Sequence, residues 1–113
     1  FAKFGKLYLE DGRIDSNQII PNWFVKESIS PNGLLDKRDN EKVHFYGYQW
    51  WMGKHQEKDF FYARGILGQY IFVIPEEDLI IVRLGHKRSK ERTRKHPNDI
   101  FYWLDAGLAM ASK

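Results

Sequence analysis

Tyr70-Ile71-Phe72-Val73-Ile74-Pro75-Glu76-Glu77-Asp78-Leu79-Ile80-Ile81-Val82-Arg83-Leu84 is the stretch that decides the fold. Two apolar runs rich in β-branched and aromatic residues flank four residues of turn chemistry, Pro75–Asp78. Side chains of this kind pack well on a pleated surface, so each run reads as a strand, Tyr70–Ile74 and Leu79–Leu84. Four residues cannot carry a parallel crossover, which needs a dozen or more, so the pair is an antiparallel hairpin.

Working outward, Phe60–Arg64 reads as a further strand, interrupted by Gly65-Ile66-Leu67-Gly68. Val43–Met52 reads as another, with Tyr46, Tyr48 and Trp50 on one face and Phe45, Gly47, Gln49 and Trp51 on the other. Gly53–Asp59 reads as the charged turn between them. Aromatics on both faces of the first strand imply burial on both sides. A chain of 113 residues is expected to supply that cover only in part, leaving a sheet surface through which it could pair as a homodimer.

Helical spacing appears at both ends. Phe1, Phe4, Leu7 and Tyr8 fall on one helical face over Phe1–Glu10, and Asp11-Gly12 supplies the stop. Because this pattern is already running at Phe1, the chain is expected to be a piece of a longer protein. A second short helix, Trp23–Ser28, follows Pro21 with Asn22 as its expected N-cap. Pro31–Lys42 has the composition of a loop. Near the other end, Asn98 is the expected cap of a helix whose stripe Ile100, Phe101, Leu104, Leu108 and Ala111 needs a sheet to lie on. The order is α-α-β-β-β-β-α, an α+β fold with an antiparallel sheet and flanking helices. The organisation is one unit over residues 1–113: helices in 1–30, sheet in 43–85, a basic loop in 86–96 and a C-terminal helix in 98–112.

Composition narrows the chemistry. With no cysteine, disulfides, thiolate catalysis and Cys-based zinc sites are excluded. His44, His55, His86 and His96 have no metal-ligand spacing and no carboxylate arranged around them in sequence, so most of them are expected on the surface and no metal or cofactor is expected. No apolar run approaches the roughly 20 residues that span a bilayer. Eighteen Lys+Arg against fifteen Asp+Glu leave a formal charge of +3. Much of the excess sits in Lys87-Arg88, Lys90, Arg92 and Arg94-Lys95, a run without interleaved aromatics for stacking bases. It reads as a solvated loop, and nucleic acid is not an expected partner.

Tyr46-Gly47-Tyr48-Gln49-Trp50-Trp51, then Ala63-Arg64-Gly65-Ile66-Leu67-Gly68-Gln69-Tyr70, then Asp78-Leu79-Ile80-Ile81-Val82-Arg83-Leu84, resemble in order and spacing the C-terminal part of the β-lactamase-related serine hydrolases. The subgroup they are most similar to contains the 6-aminohexanoate-dimer hydrolases and related esterases and amidases. Phe1–Gly12, Ile19-Ile20-Pro21 and Trp23-Phe24-Val25 resemble the segments that precede them.

The resemblance implies a β-lactamase/transpeptidase-like fold. It also implies hydrolysis of a small-molecule ester or amide (a β-lactam included) through an acyl-enzyme, and a bacterial periplasmic or cytoplasmic protein. That chemistry uses a Ser-x-x-Lys pair and a Tyr. None of the serines here begins Ser-x-x-Lys, so this chain alone is expected to be inactive. What it would supply is a wall of the oxyanion hole. By the resemblance Gly65–Gln69 is the strand that carries it, with the Ile66 N–H as donor. Gly65, Leu67, Gly68 and Gln69 would frame the substrate, and Tyr48 and Trp50 would line the acyl pocket, with Trp51 turned to the core. The plain alternative for Gly65 and Gly68 is a β-bulge or bend. The alternative function is an inactive relative or a stand-alone binding module that uses the aromatic strand and the basic loop.

Overall fold

The structure is a computed structural model that describes residues 1–31 and 45–112. The expected loop over 32–42, the first two residues of the expected strand from Val43, and His44 lie outside the described residues. The architecture is α+β. Helix α1 (Ala2–Leu9) ends as expected, with Gly12 at φ 88° and its N–H on the Leu7 carbonyl at 2.7 Å. A small ribbon follows, β1 (Arg13–Ile14) against β2 (Asn17–Gln18). In helix α2 (Asn22–Ser28), Pro21 takes the N-cap place and Asn22 is already helical, a correction of one residue.

Strands β3 (Trp51–His55), β4 (Lys58–Arg64), β5 (Tyr70–Ile74) and β6 (Leu79–Arg83) form an antiparallel meander in that spatial order. The β5–β6 hairpin has the expected bounds to within one residue. Pro75–Glu77 makes a single 3₁₀ turn, and Asp78, at φ 49°, closes it. Beyond the sheet come a second ribbon, β7 (Arg92–Thr93) and β8 (His96–Pro97), and then helix α3 (Asp99–Ala111).

Alternation along the strands sorts the core into two halves. Phe60, Tyr62, Tyr70, Phe72 and Ile74 pack with Ile100, Leu104 and Leu108 of α3. Phe61 and Val73 pack with Trp50 and, from α1, Tyr8 and Leu9. Burying a side chain such as Phe72 or Leu104 contributes about 1.5–3 kcal/mol before entropy is counted. At Gly107 a Cβ would stand 2.2 Å from Ile81 Cδ1, so α3 can approach β6 this closely only without a side chain there. The expectation of a half-covered sheet is therefore corrected: α1 and α3 lie on opposite faces. Of the expected α3 stripe, Ile100, Leu104 and Leu108 are buried and Ala111 is exposed.

Three expected boundaries change, each at a reversal that puts a residue other than glycine at positive φ. The described part of the segment from Val43 to Met52 is not one strand: Tyr46 pairs with Trp51, and the chain turns at Gly47-Tyr48-Gln49-Trp50, with Gln49 at φ 69°. The turn expected over Gly53–Asp59 shrinks to Gln56-Glu57, both left-handed (φ 50° and 64°), and the flanking residues join β3 and β4. The basic segment is not wholly solvated loop. Arg94 and Lys95, at φ 51° and 73°, close the β7–β8 ribbon, and this turn carries His96 and Pro97 into the core. Two consecutive positive-φ residues match the right-handed twist of a two-residue hairpin.

Candidate functional site

Gly65–Gln69 is a tight connection between β4 and β5 and not a strand. Arg64 pairs with Tyr70, and the Gly65 N–H donates to the Gln69 carbonyl at 2.8 Å, which closes the loop. Leu67 and Gly68 are both left-handed, at φ 61° and 83°. The hairpin reverses here because Gly68 meets no steric penalty at that φ. The site also has no room for a side chain, since a Cβ on Gly68 would stand 2.0 Å from Arg83 Nη1 and 2.5 Å from the Lys87 carbonyl.

Two side chains hold the turn. Arg83 Nη1 donates to the Gly68 carbonyl at 2.7 Å, to the Lys87 carbonyl at 2.6 Å and, more weakly, to the Leu67 carbonyl at 3.4 Å. Gln69 uses both ends of its amide on Gly85: Nε2 donates to the Gly85 carbonyl, and Oε1 accepts from the Gly85 N–H at 3.1 Å. Ile66 is 78% exposed, and its N–H makes no hydrogen bond among the described residues. Beside the turn, Phe1, Ala63, Gly65, Gln69, Tyr70 and others line a hollow of about 250 Å³.

The structure does not bring the expected acyl-pocket aromatics to this turn's hollow. Trp50 is 3% exposed, stacked on Phe4 (centroids 5.7 Å, 11°) and edge-on to Phe61 (5.0 Å, 89°). It joins α1 to the sheet. Tyr48 is exposed on the neighbouring reversal, its hydroxyl 3.4 Å from Glu27 Oε2. The expected division of the two indoles is thus reversed: Trp50 is core, and Trp51 is half-buried beside charge.

That charge is Arg64, whose guanidinium lies 3.4 Å from the centroid of the Trp51 ring. Phe45 stacks on the same indole (5.9 Å, 14°), and Tyr46 tilts against it (4.7 Å). Arg64 Nη1 reaches the Tyr62 hydroxyl and the Lys95 carbonyl, both at 3.4 Å. Phe45, Trp51, Arg64, Arg92 and Lys95 line a hollow of about 300 Å³. Burial lowers the pKa of Arg64, and the nearby charges of Arg92 and Arg88 press the same way; Tyr62 opposes them.

The histidines also depart from expectation. Against the surface position expected of most, His96 is 3% exposed, with Nδ1 2.8 Å from the Tyr62 hydroxyl. His55 has a carboxylate partner, Asp105 Oδ1 at 2.7 Å, and Gln56 Nε2 donates to the same oxygen at 2.7 Å. These bonds pin the β3–β4 turn to α3. Tyr70 donates to Asp99 (3.2 Å to each oxygen), and the Ser89 N–H donates to Asp99 Oδ1 at 3.1 Å. Among the described residues no three His, Asp or Glu side chains cluster as a metal site, and no helix is long and apolar enough to cross a membrane.

Sequence reasoning missed Arg64, because the register that brings it to the indole is set by the fold. Arg64 stands two residues beyond Tyr62, which pairs with Trp51, and a long side chain on that diagonal reaches the indole. No protein-family model matches this chain, and no curated protein matches it.

Proposed function

We propose that the chain forms the sheet and C-terminal helix of a β-lactamase-related serine hydrolase acting on ester or amide bonds, with the Gly65–Gln69 turn as one wall of its acyl site. The observation that supports this reading is the Ile66 N–H: on an exposed residue, without a partner among the described residues, and presented by a turn that Arg83 and Gln69 hold in place. Attack on an acyl carbonyl moves negative charge onto its oxygen. A fixed N–H that needs no reorganisation stabilises that charge, and loss of one such donor costs about 10²–10³ in rate. The second donor would be the N–H of the nucleophilic serine. Since Ser-x-x-Lys is missing from these 113 residues, the nucleophile would lie outside this chain, and the chain by itself would not hydrolyse substrate.

The test begins with the gene. An open reading frame that carries Ser-x-x-Lys and a Tyr motif ahead of this sequence supports the reading, and the absence of both sinks it. In the complete protein a fluorophosphonate or penicillin probe should label serine covalently, while the 113-residue chain stays unlabelled. Ile66→Pro deletes the N–H at a residue outside the left-handed region, and circular dichroism checks that the variant folds. It should lower kcat by about 10²–10³ with the protein still folded.

A further inference from the structure

Arg64 and Arg92 share one hollow with Lys95, and among the described residues neither arginine has a carboxylate partner. Like charges brought together raise the energy of the folded chain unless something offsets them. Here Arg64 is also partly desolvated, lying flat on Trp51, which fixes its plane and spends one face of the guanidinium on the ring. Its N–H groups are oriented but only weakly satisfied, with partners at 3.4 Å. The β7–β8 ribbon is the second half of the arrangement. Its Arg94-Lys95 reversal places Arg92 and Lys95 on the hollow, opposite the sheet that carries Arg64 and Trp51. A run of sequence that reads as a solvated charge segment is thereby folded into one side of a pocket.

We infer that this hollow is a binding site for a small dianionic oxyanion, the phosphate-monoester class. Planar guanidinium forks match tetrahedral oxyanions, and an ammonium adds a point charge. A phosphate monoester carries about −1.5 to −2 at neutral pH, enough to offset the two arginines. The volume, about 300 Å³, accommodates a small ester and not a folded polymer. Phe45 and Trp51 offer the organic part of the ester apolar surface.

The test is calorimetric titration of the 113-residue chain at low salt with inorganic phosphate, phenyl phosphate and benzoate. Both phosphates should bind, phenyl phosphate the tighter, and benzoate should be about tenfold weaker, because it brings one charge instead of two. Arg92 is exposed, so Arg92→Gln is compatible with folding, which circular dichroism checks. It should weaken phenyl phosphate by about tenfold, the loss of one charge-assisted contact, while Arg92→Lys weakens it less. Arg94→Gln is the control: the same charge is lost from the same ribbon, but from a side chain over Phe101 and outside the hollow. It should leave binding within about twofold of the parent. Equal weakening by Arg92→Gln and Arg94→Gln would reduce the effect to the diffuse field of the basic segment and overturn the site. So would benzoate binding as tightly as phenyl phosphate. So would a single-stranded oligonucleotide that outcompetes phenyl phosphate through Lys87, Arg88 and Lys90.

Discussion

The Tyr62 hydroxyl sits 2.8 Å from Nδ1 of His96, and both residues are buried, Tyr62 completely. Tyr62 Oη also accepts from Arg64 Nη1 at 3.4 Å, so the hydroxyl joins the imidazole and the guanidinium. The bond to His96 ties the centre of the sheet to the end of the basic ribbon.

Tyr62→Phe keeps the ring between Phe72 and His96 and deletes only the hydroxyl. It takes away the phenol partner of a buried imidazole nitrogen. The expected cost is about 1–3 kcal/mol, measured as a shift in the urea midpoint with the slope unchanged.

The alkaline limb of stability should be steep. Burial pushes the Tyr62 phenol up to about 12, against the opposing charge of Arg64, and burial together with the Asp99 carboxylate raises Tyr70 as well. Phenols of the unfolded chain ionise near ~10. The folded state therefore holds these protons more tightly, and the stability linked to them is fully present below about pH 10 and lost as pH rises through about 12. Of the six tyrosines, two should ionise late in a phenolate absorbance titration, and the thermal midpoint should fall over the same window. Simultaneous ionisation of all six with the fold intact would contradict this.

At the acid end Asp105 sets a smaller effect. Hydrogen bonds from His55, and then Gln56, hold its carboxyl below the usual carboxylate range, and slight burial opposes them. A lowered carboxyl contributes stability above the unfolded pKa, and that contribution disappears as pH falls through the folded value. Asp105 is more than half exposed, so solvent screens much of it. Asp105→Asn should lower the neutral midpoint slightly and leave stability at the acid end unchanged, which flattens the acid limb relative to the parent chain.

Gly68→Ala should destabilise the chain by about 1–3 kcal/mol, because the backbone is held at a φ that L residues rarely adopt. The new Cβ also meets the Lys87 carbonyl, which is backbone and cannot swing aside. If the turn is the acyl-site wall, the complete enzyme should lose kcat as well; the stability loss alone is expected whatever the function.

Trp50→Ala should cost about 3–5 kcal/mol through the cavity it leaves between α1 and β4. Ligand affinity measured on the fraction that remains folded should be unchanged, because the indole faces the core and not the cationic hollow.

The sequence made some elements plain and hid others, for reasons visible residue by residue. β5 and β6 were legible because β-branched runs and a Pro-led turn agree with each other. The α3 stripe was legible because its apolar spacing matches the helical period. The turn at Gln56-Glu57 was legible but its bounds were not, and Arg94-Lys95 was not legible as a turn. Hairpins of this geometry usually carry Asn-Gly or Asp-Gly, and four charged or amide side chains in left-handed conformations announce nothing. The error over Trp50 and Trp51 has the same root. Alternation assigns faces only while a strand runs straight, and the reversal at Gly47–Trp50 resets the parity. The two glycines of the β4–β5 turn signalled a special backbone. Whether they form a bend or a wall depends on Gln69 at the end of the turn and on Arg83, which lies outside it. The cationic hollow was hidden because its members come from three separated stretches, Phe45–Trp51, Arg64 and Arg92–Lys95, joined only in the fold.

The two helices that cover the sheet come from opposite ends of the sequence. Chain synthesis makes α3 only after all four strands that it covers on one side. Until then Phe60, Tyr62, Tyr70, Phe72 and Ile74 form a continuous, uncovered aromatic surface, and their partners Ile100, Leu104 and Leu108 are not yet available. A ribosome that stalls shortly before residue 99 would release a chain with a formed meander and one bare face. Such a chain is a natural client for a chaperone that binds exposed aromatic strands, and a nucleus for aggregation if none is present.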